Sequence, residues 1–143
     1  EEVPDDLSGT TAIVVVGEKS GTHDPEWTAA DLEFPQEQVA LVNALKTAGA
    51  NVVSVVIMNR AYVLTPISEA SDSVLLVYRP GVTCGAEAVA DALYGETAIT
   101  GKLPFQIPKT MEQVENQRED LPKDIENPLY EYGFGIDVEA FGA

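Results

Sequence analysis

Between Gly17 and Pro35 the chain gathers the residues best suited to chemistry. Five carboxylates, Glu18, Asp24, Glu26, Asp31 and Glu33, share this stretch with His23 and Trp27. A carboxylic acid moves protons usefully when its surroundings keep it protonated near working pH. In so acidic a chain each can also be no more than a solvated loop charge. Cys84, the single cysteine, stands at the start of an expected helix. A thiol nucleophile needs a base, His23 is the only histidine, and no local motif joins the two. One histidine and one cysteine also argue against a zinc site of the usual kind. The run Gly17-Glu18-Lys19-Ser20-Gly21-Thr22 suggests a phosphate loop. Its lysine, however, precedes the second glycine and no helix begins there, so the G-x-x-x-x-G-K-[ST] pattern is missing. G-x-G-x-x-G is missing too, which leaves a small-ligand or nucleotide-binding α/β domain as an alternative without its fingerprint. No cofactor and no metal are expected.

These residues sit in a loop whose position depends on the elements around it. Thr11-Ala12-Ile13-Val14-Val15-Val16-Gly17 is a continuous apolar run rich in β-branched residues. Such a run without alternation marks a strand buried on both faces, as in a parallel sheet. Pro35 opens a helix on which Val39, Leu41, Val42, Leu45 and Ala48 recur at helical spacing, with Gly49 as its C-terminal stop. Asn51 to Met58 is a second strand and Ile67 to Ala70 a short helical turn. Ser73 to Tyr78 is a third strand, and Gly85 to Tyr94 a second helix ended by Gly95.

Strand, helix, strand, turn, strand, helix is the order of a layered α/β sandwich with a mainly parallel sheet flanked by helices. Residues 1–10 read as an acidic lead-in, and residues 11–143 as one domain with a wrapping carboxyl-terminal tail punctuated by Pro104, Pro108, Pro122 and Pro128. In that tail a short strand is expected at Lys102 to Gln106 and a helical turn near Met111 to Asn116. Gly133-Phe134-Gly135 is expected to be a tight turn that locks the tail down.

The bulk numbers narrow the function classes. A chain of 143 residues, 45% of them hydrophobic, suits one domain with a real core. A net charge of −16, from 24 acidic against 8 basic residues, repels phosphate backbones and anionic lipid. Neither nucleic acid nor membrane is therefore an expected partner, whereas a neutral ligand such as a sugar is compatible. The acidic start, EEVPDDLSGT, reads as neither a signal nor a transit peptide.

Four segments, in order, resemble glycoside hydrolase family 3. Val14-Val15-Val16-Gly17-Glu18 is similar to the strand and turn that begin the family's active-site loop. Leu32-Glu33-Phe34-Pro35-Gln36-Glu37-Gln38 resembles its L-x-L-P-x-x-Q helix start. Arg79-Pro80-Gly81, then Ala88 to Tyr94 and Gly101-Lys102-Leu103-Pro104, resembles its PG…A-I-A-D-V-L-F-G…S-G-[KR]-L-P stretch. Pro128-Leu129-Tyr130-Glu131-Tyr132-Gly133-Phe134-Gly135 is similar to its PLYPFGYGL.

The resemblance implies a two-domain retaining β-glycosidase, β-glucosidase-like, acting on a β-linked glucoside or oligosaccharide. A TIM-like barrel supplies the nucleophile there, and a six-stranded α/β sandwich closes the site. This chain then corresponds to most of the carboxyl-terminal sandwich. It begins after the first strand or two, and as an isolated chain it is expected to be inactive. In many members the loop after the first strand supplies the general acid/base. Counting from Gly17 that position falls on His23, and counting back from Pro35 on Asp24. Glu26 is the nearest glutamate, so Glu26 and Asp24 remain alternative acids. Glu18, beside the strand end, is expected to orient the loop, and Arg60, after Asn59, to make a structural ion pair. Trp27 could stack on a sugar face or pack the loop onto the domain. Members commonly carry a glutamate after their PG, whereas Pro80-Gly81-Val82-Thr83-Cys84-Gly85 has no carboxylate. A non-catalytic scaffold or carbohydrate-contact module is the alternative function. An open sheet edge predicts partner contacts or self-association. Family grounds favour a secreted or periplasmic site.

Overall fold

The computed structural model describes residues 3–18, 32–81, 83–118, 120–121 and 123–141. Three strands, β1 (Thr11–Gly17), β2 (Asn51–Ile57) and β3 (Ser73–Val77), pair side by side in that order, all parallel. Helix α1 (Gln36–Thr47) crosses from β1 to β2 and α2 (Thr65–Ala70) from β2 to β3. Helices α3 (Gly85–Leu93) and α4 (Met111–Asn116) follow. The expected layered α/β order holds.

Alternate strand residues point to opposite faces. One face presents Val14 and Val16 from β1, Val52 and Val56 from β2, and Val74 and Leu76 from β3. These pack with Val39 and Val42 of α1, Ile67 and Ala70 of α2, and Phe34, Met58 and Leu64 in one core. Fully burying a Val or Ile contributes about 1.5–3 kcal/mol, and Val42, Val52, Val56 and Ile67 of this layer are fully buried. Pro35 caps α1 with φ −54, and Gly49 ends it at φ +89, a conformation that suits glycine. The lead-in is tied to that helix end, where Leu7 N–H donates to the Ala48 carbonyl at 2.6 Å.

On the opposite face, Leu75 and Val77 of β3 share an apolar groove with Ala88, Val89 and Ala92 of α3 and with Ile99. The β1 end of this face is open, with Ile13 46% and Val15 62% exposed. This corrects the expectation that β1 is buried on both sides. β1 is an edge strand, and α1 covers only one of its faces. The run of β-branched residues reports strand propensity and a partly closed sheet, not double burial.

The tail folds back on itself. Isolated bridges join Ile99 to Val138 and Ile107 to Tyr130, and Leu103 N–H donates to the Phe134 carbonyl at 2.8 Å. The strand expected at Lys102 to Gln106 is absent. Pro104 has no N–H to donate, so pairing survives only at single residues on either side of it. The α4 turn forms as expected. Gly133 sits at φ +78, and Phe134 N–H reaches the Glu131 carbonyl at 3.1 Å, which makes the tight turn. Among the described residues no helix is long and apolar enough to cross a membrane.

Candidate functional site at the carboxyl ends of the strands

The parallel register places Gly17, Ile57 and Val77 in one row across the sheet. The ladder runs one residue further: Glu18 N–H donates to the Ile57 carbonyl and Met58 N–H to the Val77 carbonyl, both at 3.0 Å. The residues that follow each strand are thereby neighbours. In open parallel sheets this carboxyl edge is where ligands bind.

Glu18 lies at the centre of that edge. Its side chain is only 2% exposed. Oε1 accepts the Asn59 backbone N–H at 3.1 Å and meets Arg79 Nη2 at 3.0 Å. Oε2 lies 3.5 Å from Arg60 Nε. One carboxylate therefore ties together the ends of all three strands. Arg60, the expected ion-pair residue, also donates from Nη2 to the Tyr62 hydroxyl and lies 5.1 Å over the Tyr62 ring. Burial raises the Tyr62 hydroxyl pKa, and the guanidinium of Arg60 opposes that rise. Tyr62 packs edge-on against Phe34, with 5.8 Å between ring centres.

Leu32 and Glu33 also lie at this edge. Val63 N–H donates to the Leu32 carbonyl at 2.9 Å, and Glu33 bridges Val63. Both flanks of the segment 19–31, Glu18 on one side and Leu32 and Glu33 on the other, are thus bonded to residues 57–63. Asp24, Glu26, Trp27 and His23, with Asp31, lie outside the described residues. Among the described residues no cluster of three metal-ligating side chains forms. Cys84 precedes the first residue of α3 and is exposed.

Gln38 explains the glutamine of the helix-start motif. Its amide clamps both backbone polar groups of one residue at the strand end: Gly17 N–H donates to Oε1 at 2.7 Å, and Nε2 donates to the Gly17 carbonyl at 3.0 Å. Two bonds on the backbone just before Glu18 fix α1 against β1. Replacing Gln38 by alanine is expected to cost about 1 kcal/mol, the net worth of such bonds, read as a shift of the urea midpoint at constant slope. An unchanged midpoint would show that water replaces the clamp.

Reasoning from sequence did not assign roles to Arg79, Asn59, Tyr62 or Gln38. The signal for the arginines lies in the charge balance: two of only 8 basic residues stand within three residues of the end of an apolar strand. A parallel register must bring such positions together.

The chain matches the model of the glycosyl hydrolase family 3 C-terminal domain over residues 7–138. It is 33% identical over 121 residues to beta-glucosidase C of Emericella nidulans, covering 85% of this chain and 19% of that protein. It is 28% identical to a periplasmic beta-glucosidase of Salmonella typhimurium, covering 90% of this chain and 19% of that protein. The crystal structure of a Listeria innocua beta-glucosidase in complex with isofagomine superposes with a TM-score of 0.70 at 26% identity, over 90% of this chain and 20% of that one. The chain thus spans about a fifth of the length of these relatives. Strand order, motif order and a match across nearly the whole chain agree: this chain belongs to glycosyl hydrolase family 3 and corresponds to its C-terminal domain.

Proposed function

We propose that this chain is the second domain of a retaining β-glycosidase, completing the active site of a TIM-like barrel elsewhere in the parent polypeptide. The observation that carries the reading is the anchoring of both flanks of the segment 19–31 at the carboxyl edge of the parallel sheet. Those flanks stand at the edge where ligands bind in open parallel sheets, so a second body of protein can meet the domain there. Retaining hydrolysis needs two carboxyl groups about 5–5.5 Å apart, one attacking the sugar and one shuttling the proton. The barrel supplies the attacking group. Glu26 or Asp24 supplies the proton to the leaving oxygen, then takes one from water in the second step. Trp27 and His23 line the sugar's surroundings, and Glu18 holds the base of the segment in place. The substrate is a β-linked glucoside or short oligosaccharide, in keeping with the beta-glucosidase names of the relatives.

The test joins the chain to its barrel and follows hydrolysis of an aryl β-glucoside. Glu26→Gln and Asp24→Asn are measured separately. One of them is expected to lose about 10²–10⁴-fold in kcat/KM, the usual contribution of a general acid/base. Full activity in both variants would reject this acid assignment. The chain without the barrel is expected to give no turnover above buffer.

A further inference from the structure

Arg79 has a backbone conformation that its residue type does not favour. Its φ is +44, in the left-handed region where glycine is usual. It also precedes Pro80, whose ring drives the residue before it toward extended conformations. Strain of this kind persists where the surroundings over-determine it, and it clusters at functional sites. The two neighbours that need glycine have it: Gly81 lies at φ +84, and Gly85 sits where a β-carbon would come within 2.5 Å of the Pro80 carbonyl oxygen. Glycine at position 79 would remove the strain, yet an arginine stands there, so the side chain is what the position retains.

The side chain is held at one end only. Nη2 bonds to buried Glu18, while 40% of the Arg79 side chain is exposed. Among the described residues Glu18 is its one partner. A guanidinium carries N–H donors in a rigid fork, so one edge can be anchored while the other stays available. Paired donors in a plane match the vicinal hydroxyls of a sugar, and the fork stands on the sheet edge where ligands bind.

We propose that Arg79 is a sugar-contacting residue, oriented by Glu18, that donates hydrogen bonds to the hydroxyls of a bound glycoside. The proposal rests on the β-glycosidase reading above, and the experiment separates the two. The chain joined to its barrel is titrated calorimetrically with thiocellobiose, whose sulfur linkage resists hydrolysis, and assayed on an aryl β-glucoside. Arg79→Gly relieves the backbone and removes the fork. It is expected to raise the thiocellobiose Kd and the KM about tenfold, with kcat changed by no more than about threefold. The melting temperature is expected to stay within a few degrees of wild type. Arg79→Lys is expected to recover part of the affinity, since it keeps the charge and loses the fork. Wild-type Kd and KM in Arg79→Gly overturn the proposal. If Arg79→Gly does not fold, a wild-type Kd in Arg79→Lys overturns it. A wild type that binds thiocellobiose but hydrolyses no aryl β-glycoside overturns the glycosidase reading alone, and Arg79 is then judged on Kd. A wild type that does neither overturns both.

Discussion

Replacing Glu18 by alanine is expected to lower the unfolding free energy of the chain by about 3 kcal/mol, within the range for breaking a buried ion pair. The carboxylate is almost fully enclosed, and three groups depend on it. The Asn59 N–H loses its acceptor, although Asn59 is exposed and water replaces part of that bond. Arg60 and Arg79 each lose the Glu18 carboxylate. Both keep partial access to water, 29% and 40% exposed, so their share is smaller than that of fully buried cations. Glu18→Gln keeps an oxygen for Asn59 N–H and is expected to cost about 1 kcal/mol. The comparison within the same molecule is Lys46–Asp72, paired at 2.7 Å with both side chains exposed. There, Lys46 and the Val52 N–H hold the Asp72 carboxyl below its ordinary pKa. That pair lies on the surface, and Asp72→Ala is expected to be the milder change. Denaturant unfolding at pH 7 decides the matter through the midpoint at constant slope. Equal losses for Glu18→Ala and Asp72→Ala would mean that Glu18 contributes no more than a surface charge.

The contrast between these two pairs shows which features were legible in the sequence. The strands, their parallel order and the helices between them were readable because apolar runs and helical spacing are local signals. Thr11–Gly17 and Asn51–Ile57 fall where the β-branched runs stand. Glu18 was readable as a group beside a strand end. Its partners were not, because Arg60 and Arg79 lie far along the chain and meet it only through register. The open face at Ile13 and Val15 was misread for a related reason. A run of β-branched residues looks the same on an edge strand as on a central one, and only the neighbours distinguish them. Lys102 to Gln106 failed as a strand because the apolar pattern there outweighed Pro104, which removes a ladder donor. The motif glutamine, Gln38, carried no periodicity signal at all, since it acts on the backbone of Gly17 at the end of another element.

Gly85→Ala tests whether the turn that carries Arg79 is set by close packing. At the first residue of a helix, alanine in place of glycine ordinarily gains up to about 1 kcal/mol. Here the sign is expected to reverse. A β-carbon on Gly85 would stand 2.5 Å from the Pro80 carbonyl oxygen and 2.6 Å from both its carbonyl carbon and its β-carbon. Two of those three atoms are backbone, which cannot swing aside as a flexible side chain would, so the Pro80 turn or α3 must move. Overpacking of this kind costs about 1–3 kcal/mol, and a net loss of about 2 kcal/mol is expected. The displaced turn carries Arg79 with it and weakens its bond to Glu18. The two sites should therefore couple: Glu18→Ala should cost about 1 kcal/mol less in the Gly85→Ala background than in the wild type, within the range for residues that share a network. A double-mutant cycle of unfolding midpoints measures this. Strict additivity would mean that the turn moves without disturbing the ion pair, and a Gly85→Ala variant as stable as wild type would mean that α3 yields freely and the close approach holds nothing in place.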